Sequence, residues 1–120
     1  MNRYAMAFVL SALTALPVAA KVLRFPAGFH FESVPTDGAT IYARTGGTGP
    51  AVVLLHGFGD TGDMRAPLAA KLGKDHTVIV PDLRGMGLSS HPDSGYDRKK
   101  QRHDIAAVLN RPPIASAALL

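Results

Sequence analysis

The chain predicts an α/β fold built on a parallel sheet. Two short runs, Ala51–Leu55 and His76–Val80, are apolar without alternation, as strands covered on both faces are. A segment of helical period follows each run, and an Asp-Gly turn signal precedes both. Strand, helix, strand, helix after a hairpin is the pattern of an α/β domain.

The elements follow in order. Residues 1–20 carry Arg3, an apolar middle from Ala5 to Leu16 broken only by Ser11 and Thr14, then Pro17 and small residues through Ala20. A positive start, a short apolar centre and a small-residue exit form a secretory signal, with cleavage expected after Ala20. The apolar stretch ends at Ala20, too short for the roughly 20 residues that span a bilayer, so no membrane span is expected in the cleaved chain. The expected location is secreted or periplasmic.

Phe29–Val34 and Thr40–Arg44 are rich in aromatic and β-branched residues, and Pro35–Ala39 between them holds Asp37-Gly38, so they predict a hairpin. Thr45–Pro50 is a loop, Ala51–Leu55 a buried strand, and His56–Gly62 a glycine-rich turn. Asp63 is expected to cap a helix with Met64, Leu68 and Leu72 inward, ending at Gly73. His76–Val80 is the next strand, closed by Pro81-Asp82, and Leu83–Tyr96 is a loop. Asp97–Asn110 predicts a second helix, basic at its start and apolar at Ile105, Val108 and Leu109. Pro112-Pro113 stops it, leaving 111–120 as an atypical tail in which a frameshift or truncation is expected.

Composition narrows the chemistry. The 120 residues are 47% hydrophobic, which excludes a disordered chain. The absence of cysteine excludes disulfides, thiolate metal sites and a cysteine nucleophile. A net charge of +4 is spread evenly along the chain, so no nucleic-acid partner is expected. The five histidines have no metal-ligand spacing, and no metal or other cofactor is expected. Arg98-Lys99-Lys100 is expected to be a solvated helix face. Oligomeric state is left open.

The glycine turn supports two readings. Gly57-x-Gly59-x-x-Gly62 follows a strand, opens a helix and precedes Asp82 by 20 residues, which is the spacing of a dinucleotide-binding fingerprint. Against an NAD(P)-binding oxidoreductase stand His56 at the edge of the cradle and a hairpin ahead of the strand. The second reading is a hydrolase, in which a backbone N–H after the strand meets a developing oxyanion. Glycine permits the tight reversal this needs, and Phe58 N–H would be the donor. Asp82 and Arg84 have a plainer reading as a strand-end ion pair.

Gly49–Gly59, containing Leu55-His56-Gly57-Phe58-Gly59, and Val80–Ser89, containing Pro81-Asp82-Leu83-Arg84-Gly85, resemble the N-terminal part of the α/β-hydrolase superfamily. The resemblance is closest to its epoxide hydrolase and haloalkane dehalogenase branch, and Asp37-Gly38-x-x-Ile41-Tyr42 and Phe25-Pro26 extend it over residues 22–110. It implies an incomplete α/β-hydrolase fold and a catalytic role for the Phe58 N–H. It also implies an oxyanion loop of His56, Gly57 and Gly59, and a turn of Asp82, Arg84 and Gly85 after the fourth strand. Two residues depart from the family pattern: Gly59 stands where proline is usual and Arg65 where tryptophan is common.

The nucleophile decides what the chain can do alone. The family places it on a sharp turn between two glycines, serine in esterases and aspartate in the epoxide branch. No serine or aspartate here has glycine both two before and two after it; Ser89 comes nearest, with Gly87 before but His91 after. The acid and histidine of the triad follow the nucleophile in chain order, so they too are expected to be missing. The expected identity is an N-terminal portion of a secreted, epoxide-hydrolase-like protein acting on a small-molecule substrate, inactive by itself. A serine esterase or lipase of the same fold, the oxidoreductase and a non-catalytic fragment are the alternatives. The fold implies a third strand between the fourth and the fifth, so Val52–Leu55 is expected to leave an unpaired apolar edge, prone to aggregate. Ile114–Leu120 could partly cover this edge, although nothing in its pattern demands it.

Overall fold

The structure, a computed structural model, describes residues 25–111, 114 and 116–120. The expected signal segment lies outside them. The strands are β1 (His30–Thr36), β2 (Ala39–Gly46), β3 (Ala51–Val53), β4 (Thr77–Pro81) and β5 (Ala117–Leu119). The helices are α1 (Ala66–Leu72), entered through a 3-10 turn at Gly62–Arg65, and α2 (Arg98–Leu109).

One sheet runs in the order β1-β2-β4-β3-β5. It is mixed rather than wholly parallel: β2 lies antiparallel to both β1 and β4, whereas β3 lies parallel to β4 and β5. The hairpin is tighter than the sequence predicts, because Thr36 pairs with Ala39 and only Asp37-Gly38 turns. Pro35 stays inside β1, which is permitted because β1 is an edge strand with no second neighbour to bond.

Successive residues of the central strands point to opposite faces, and both faces are covered. Val52, Leu54, Val78 and Val80 pack with Ala69 and the partly buried Phe25, Phe29 and Leu72. Val53 and Ile79 pack on the other side with Val34, Ile41 and Val108 of α2. That double covering is why neither run alternates.

Three expectations are corrected. Asp63 does not cap α1: it lies inside the 3-10 turn and its carboxylate meets Arg44 Nη2 at 2.8 Å. Pro67 instead sits in the first turn of α1, where its missing N–H costs nothing. The inward face of α1 is Ala66 and Ala69 with Leu72, while Met64 and Leu68 are exposed. The 3-10 turn advances at three residues per turn rather than 3.6, which shifts the phase of the helix behind it. Finally, the edge of β3 is paired: β5, from the segment with no evident pattern, bonds along Ala51–Val53 in parallel register. Leu120 extends the ladder, donating its N–H to Val53 O at 3.0 Å and accepting from Leu55 N–H at 2.8 Å.

The second helix matches its expectation. Asp97 is the N-cap, its carboxylate accepting from Lys100 N–H at 2.9 Å, and Asn110 ends the helix. At the hairpin tip the Lys100 ammonium beside Asp37 lowers that carboxyl below its ordinary 3.8.

Candidate active site

The carboxyl ends of β3 and β4 carry two glycine turns. At the first, Asp60 N–H donates to Gly57 O at 3.2 Å, with Phe58 and Gly59 between them. Gly59 has φ +77, the signature of a type II turn at its third position. The second repeats the pattern: Met86 N–H donates to Leu83 O at 3.0 Å, and Gly85 also has φ +77. Phe58 projects into solvent, 98% exposed, and no backbone carbonyl among the described residues takes its N–H.

The family's usual proline would not fit at Gly59 here, because proline fixes φ near −65°. Gly59→Pro is therefore expected to cost more than about 1 kcal/mol of stability rather than stiffen the turn. A urea midpoint equal to or above that of the parent would contradict this.

The base of the first turn is held from three directions. Arg65 donates from Nε and Nη2 to Leu55 O, at 3.1 and 2.6 Å, so the residue that departs from the family's tryptophan clamps the end of β3. His56 is buried and joins the two turns. Its Nε2 accepts from Leu83 N–H at 2.9 Å, which leaves the ring proton on Nδ1 to donate to Gly57 O at 2.8 Å. Gly62 N–H donates to Asp82 Oδ1 at 2.6 Å.

Asp82 is fully buried and accepts four contacts: Gly62 N–H, Leu88 N–H at 2.9 Å, and Arg44 Nη1 and Nη2 at 3.0 and 3.4 Å. This overturns the dinucleotide reading. The acid 20 residues beyond Gly62 bonds to Gly62 itself and is closed to a ribose. A Cβ on Gly62 would lie 2.9 Å from Asp82 Oδ1 and 2.5 Å from Arg44 Nη1, so the glycine makes room for a carboxylate, not a pyrophosphate.

The expected Asp82–Arg84 pair does not form either. Arg84 turns to Asp104 of α2, donating from Nε to Oδ2 and from Nη2 to Oδ1, both at 2.8 Å. Its Nη2 also reaches Asp37 O at 2.9 Å, and Thr36 Oγ1 donates to Asp104 Oδ1 at 2.8 Å. Asp104 raises the Arg84 pKa above its ordinary value, so this guanidinium stays charged. Ser89, the nearest approach to a flanked nucleophile, is buried and fully engaged. Its Oγ donates to Asp82 O at 2.5 Å and accepts from Tyr42 N–H at 2.9 Å.

Sequence reasoning missed Arg44 and Asp104. Arg44 is buried in β2, stacked 5.2 Å from the Phe25 ring and 4.9 Å from the Tyr42 ring. Asp104 precedes Val108 by one helical turn, and a polar residue on that inward stripe was the available signal. No group of three His, Asp or Glu among the described residues is placed to hold a metal, and no helix among them is long and apolar enough to cross a membrane.

A wound sheet with an unoccupied amide at the carboxyl end of β3 is the frame of one large family. The profile of the alpha/beta hydrolase fold matches residues 50–120, more than half of the chain. The chain belongs to the α/β-hydrolase fold family. Its relatives include a fluoroacetate dehalogenase of a Burkholderia species, 45% identical over 70 residues, which are 58% of this chain and 23% of that protein. An epoxide hydrolase of Caballeronia sordidicola is 33% identical over 96 residues, 78% of this chain and 29% of the relative. Among solved structures, a haloalkane dehalogenase of Bradyrhizobium elkani USDA94 superposes with a TM-score of 0.69 at 28% identity, covering 76% of this chain and 32% of the other. This α/β-hydrolase chain thus spans about a quarter to a third of the relatives it matches.

Proposed function

We propose that this chain supplies the oxyanion-loop portion of an epoxide-hydrolase-like enzyme acting on small organic substrates through an ester intermediate. The observation that carries the reading is the Gly57–Asp60 turn, anchored through His56, Arg65 and Gly62 while the Phe58 N–H stays unengaged by backbone carbonyls. In such a reaction a carboxylate opens the epoxide ring, forming an ester and an alkoxide that takes up a proton. Water then adds to the ester carbonyl, and the negative charge that collects on its oxygen is met by a fixed amide dipole. Phe58 N–H is that donor.

The attacking carboxylate is not among this chain's residues. Asp82 and Asp104 are buried and paired, and no aspartate or serine has the flanking glycines of the family's nucleophile turn. The chain by itself is accordingly expected to leave epoxides unhydrolysed.

The role of Phe58 is testable in a chimera, with residues 25–110 replacing the matched segment of the Caballeronia epoxide hydrolase. Proline suits the second position of a type II turn, so Phe58→Pro removes the N–H and spares the fold of the turn. Losing one such donor is expected to lower kcat by about 100- to 1000-fold. Phe58→Ala keeps the N–H and loses an exposed ring, so its kcat should stay within a few-fold of the parent chimera. Equal effects of the two substitutions would refute the assignment.

A further inference from the structure

The Gly57 carbonyl and the Phe58 N–H belong to one planar peptide group, and trans geometry points them in opposite directions. Whatever holds the carbonyl therefore aims the amide. Gly57 O accepts from Asp60 N–H at 3.2 Å and from His56 Nδ1 at 2.8 Å. The first bond is the longer, and it closes a turn in which Gly57, Phe58 and Gly59 are all exposed, so water competes for it. The second comes from a buried ring. Leu83 N–H can only donate, so at 2.9 Å it requires a lone pair on Nε2, and the proton of the neutral ring then sits on Nδ1. A ring turned over about its Cβ–Cγ bond would offer carbon to both partners. The two contacts thus fix its orientation as well as its tautomer.

We infer that His56 is the positioning residue for the Phe58 N–H. Leu83 N–H selects the ring with its proton on Nδ1, that proton holds Gly57 O, and the peptide plane turns the Phe58 N–H the opposite way. Without the ring, only the longer Asp60 bond resists rotation of the Gly57–Phe58 peptide. His56 thereby acts on a reaction it does not touch, by keeping the donor aimed before charge develops. The catalytic consequence rests on the proposed hydrolysis; the hold on the peptide does not.

Nitrogen-15 NMR of the full chain at neutral pH tests the hold directly. His56 Nδ1 is expected to carry the proton and Nε2 the lone pair, and the residual dipolar coupling of the Phe58 N–H should match the orientation in the structure. His56→Asn keeps a donor in the place of Nδ1 and should preserve that coupling. His56→Gln keeps an acceptor for Leu83 N–H but no donor on Gly57 O, and should change it. The opposite tautomer, or a coupling indifferent to His56→Gln, would overturn the assignment. In the epoxide hydrolase chimera, His56→Gln should lower kcat at least about tenfold, and by no more than the roughly 100- to 1000-fold of losing the donor outright. KM should stay within about threefold, since the amide meets only the developing oxyanion, and His56→Asn should restore most of kcat. Added to Phe58→Pro, His56→Gln should cost less than about twofold, because the donor it aims is already gone. An equal loss in both backgrounds would mean that His56 only supports the fold. If the NMR result holds while Phe58→Pro leaves kcat unchanged, the hydrolase reading falls and the hold of His56 on the peptide stands.

Discussion

Asp82→Ala is expected to lower the stability of the chain by about 3–5 kcal/mol, the usual cost of removing one partner from a buried ion pair. Asp82 and Arg44 are both shielded from water, and the substitution leaves the Arg44 guanidinium, among the described residues, with only the half-buried Asp63 as a carboxylate partner. It also strands two amides, Gly62 N–H and Leu88 N–H, whose acceptor is this carboxylate. Small domains have only about 5–15 kcal/mol in total, so the substitution removes a large share of the stability. Urea denaturation followed by circular dichroism reads the loss directly. Asp63→Ala is the internal comparison: its side chain is 33% exposed, and about 1 kcal/mol or less is expected. Similar midpoints for the two variants would show that the buried carboxylate does not hold the sheet ends together.

The second large effect belongs to Asp104. Asp104→Ala deprives Arg84 of two hydrogen bonds and Thr36 of one, inside a site where neither charged group reaches water. A cost of about 3–5 kcal/mol is again expected. The informative variant is the double replacement Arg84→Met/Asp104→Leu. Removing both charges removes the orphan, so much of the lost stability should return, although Asp37 O and Thr36 Oγ1 still give up a partner. A double-mutant cycle measures the coupling, and additive losses from the two single changes would mean that the pair contributes little.

These two ion pairs also mark where the sequence stops being legible. The strands β3 and β4 could be found because burial on both faces leaves an unbroken apolar run, and α2 because Asp97 and Pro112-Pro113 bracket it. Arg44 could not, since a charged residue in a hairpin strand is ordinarily on the solvent side, and its partners Asp63 and Asp82 lie far along the chain. Asp82 was visible but open to a second reading, because a spacing of 20 residues fits a ribose acid as well as a carboxylate that folds back onto Gly62. In α1, one 3-10 turn was enough to move the inward face from Met64 and Leu68 to Ala66 and Ala69. The β3–β5 pairing had no local signature either, for a three-residue parallel strand is specified by its neighbour rather than by its own alternation. Within the candidate site, the two glycine turns were legible as motifs, but their supports, Arg65 on Leu55 and His56 on Leu83, rest on contacts between distant segments.

One consequence follows from the two amides that share the Asp82 carboxylate. Gly62 closes the segment that begins at the Phe58 turn, and Leu88 belongs to the loop after β4, yet a single pair of oxygens fixes both. Neither loop can shift outward without stretching a bond that anchors the other, so they behave as one lever on a common pivot. The placement of the amide proposed as the oxyanion donor is thereby tied to a buried carboxylate. A change beyond β4 would be felt at Phe58 as a displacement, transmitted through a group closed to solvent.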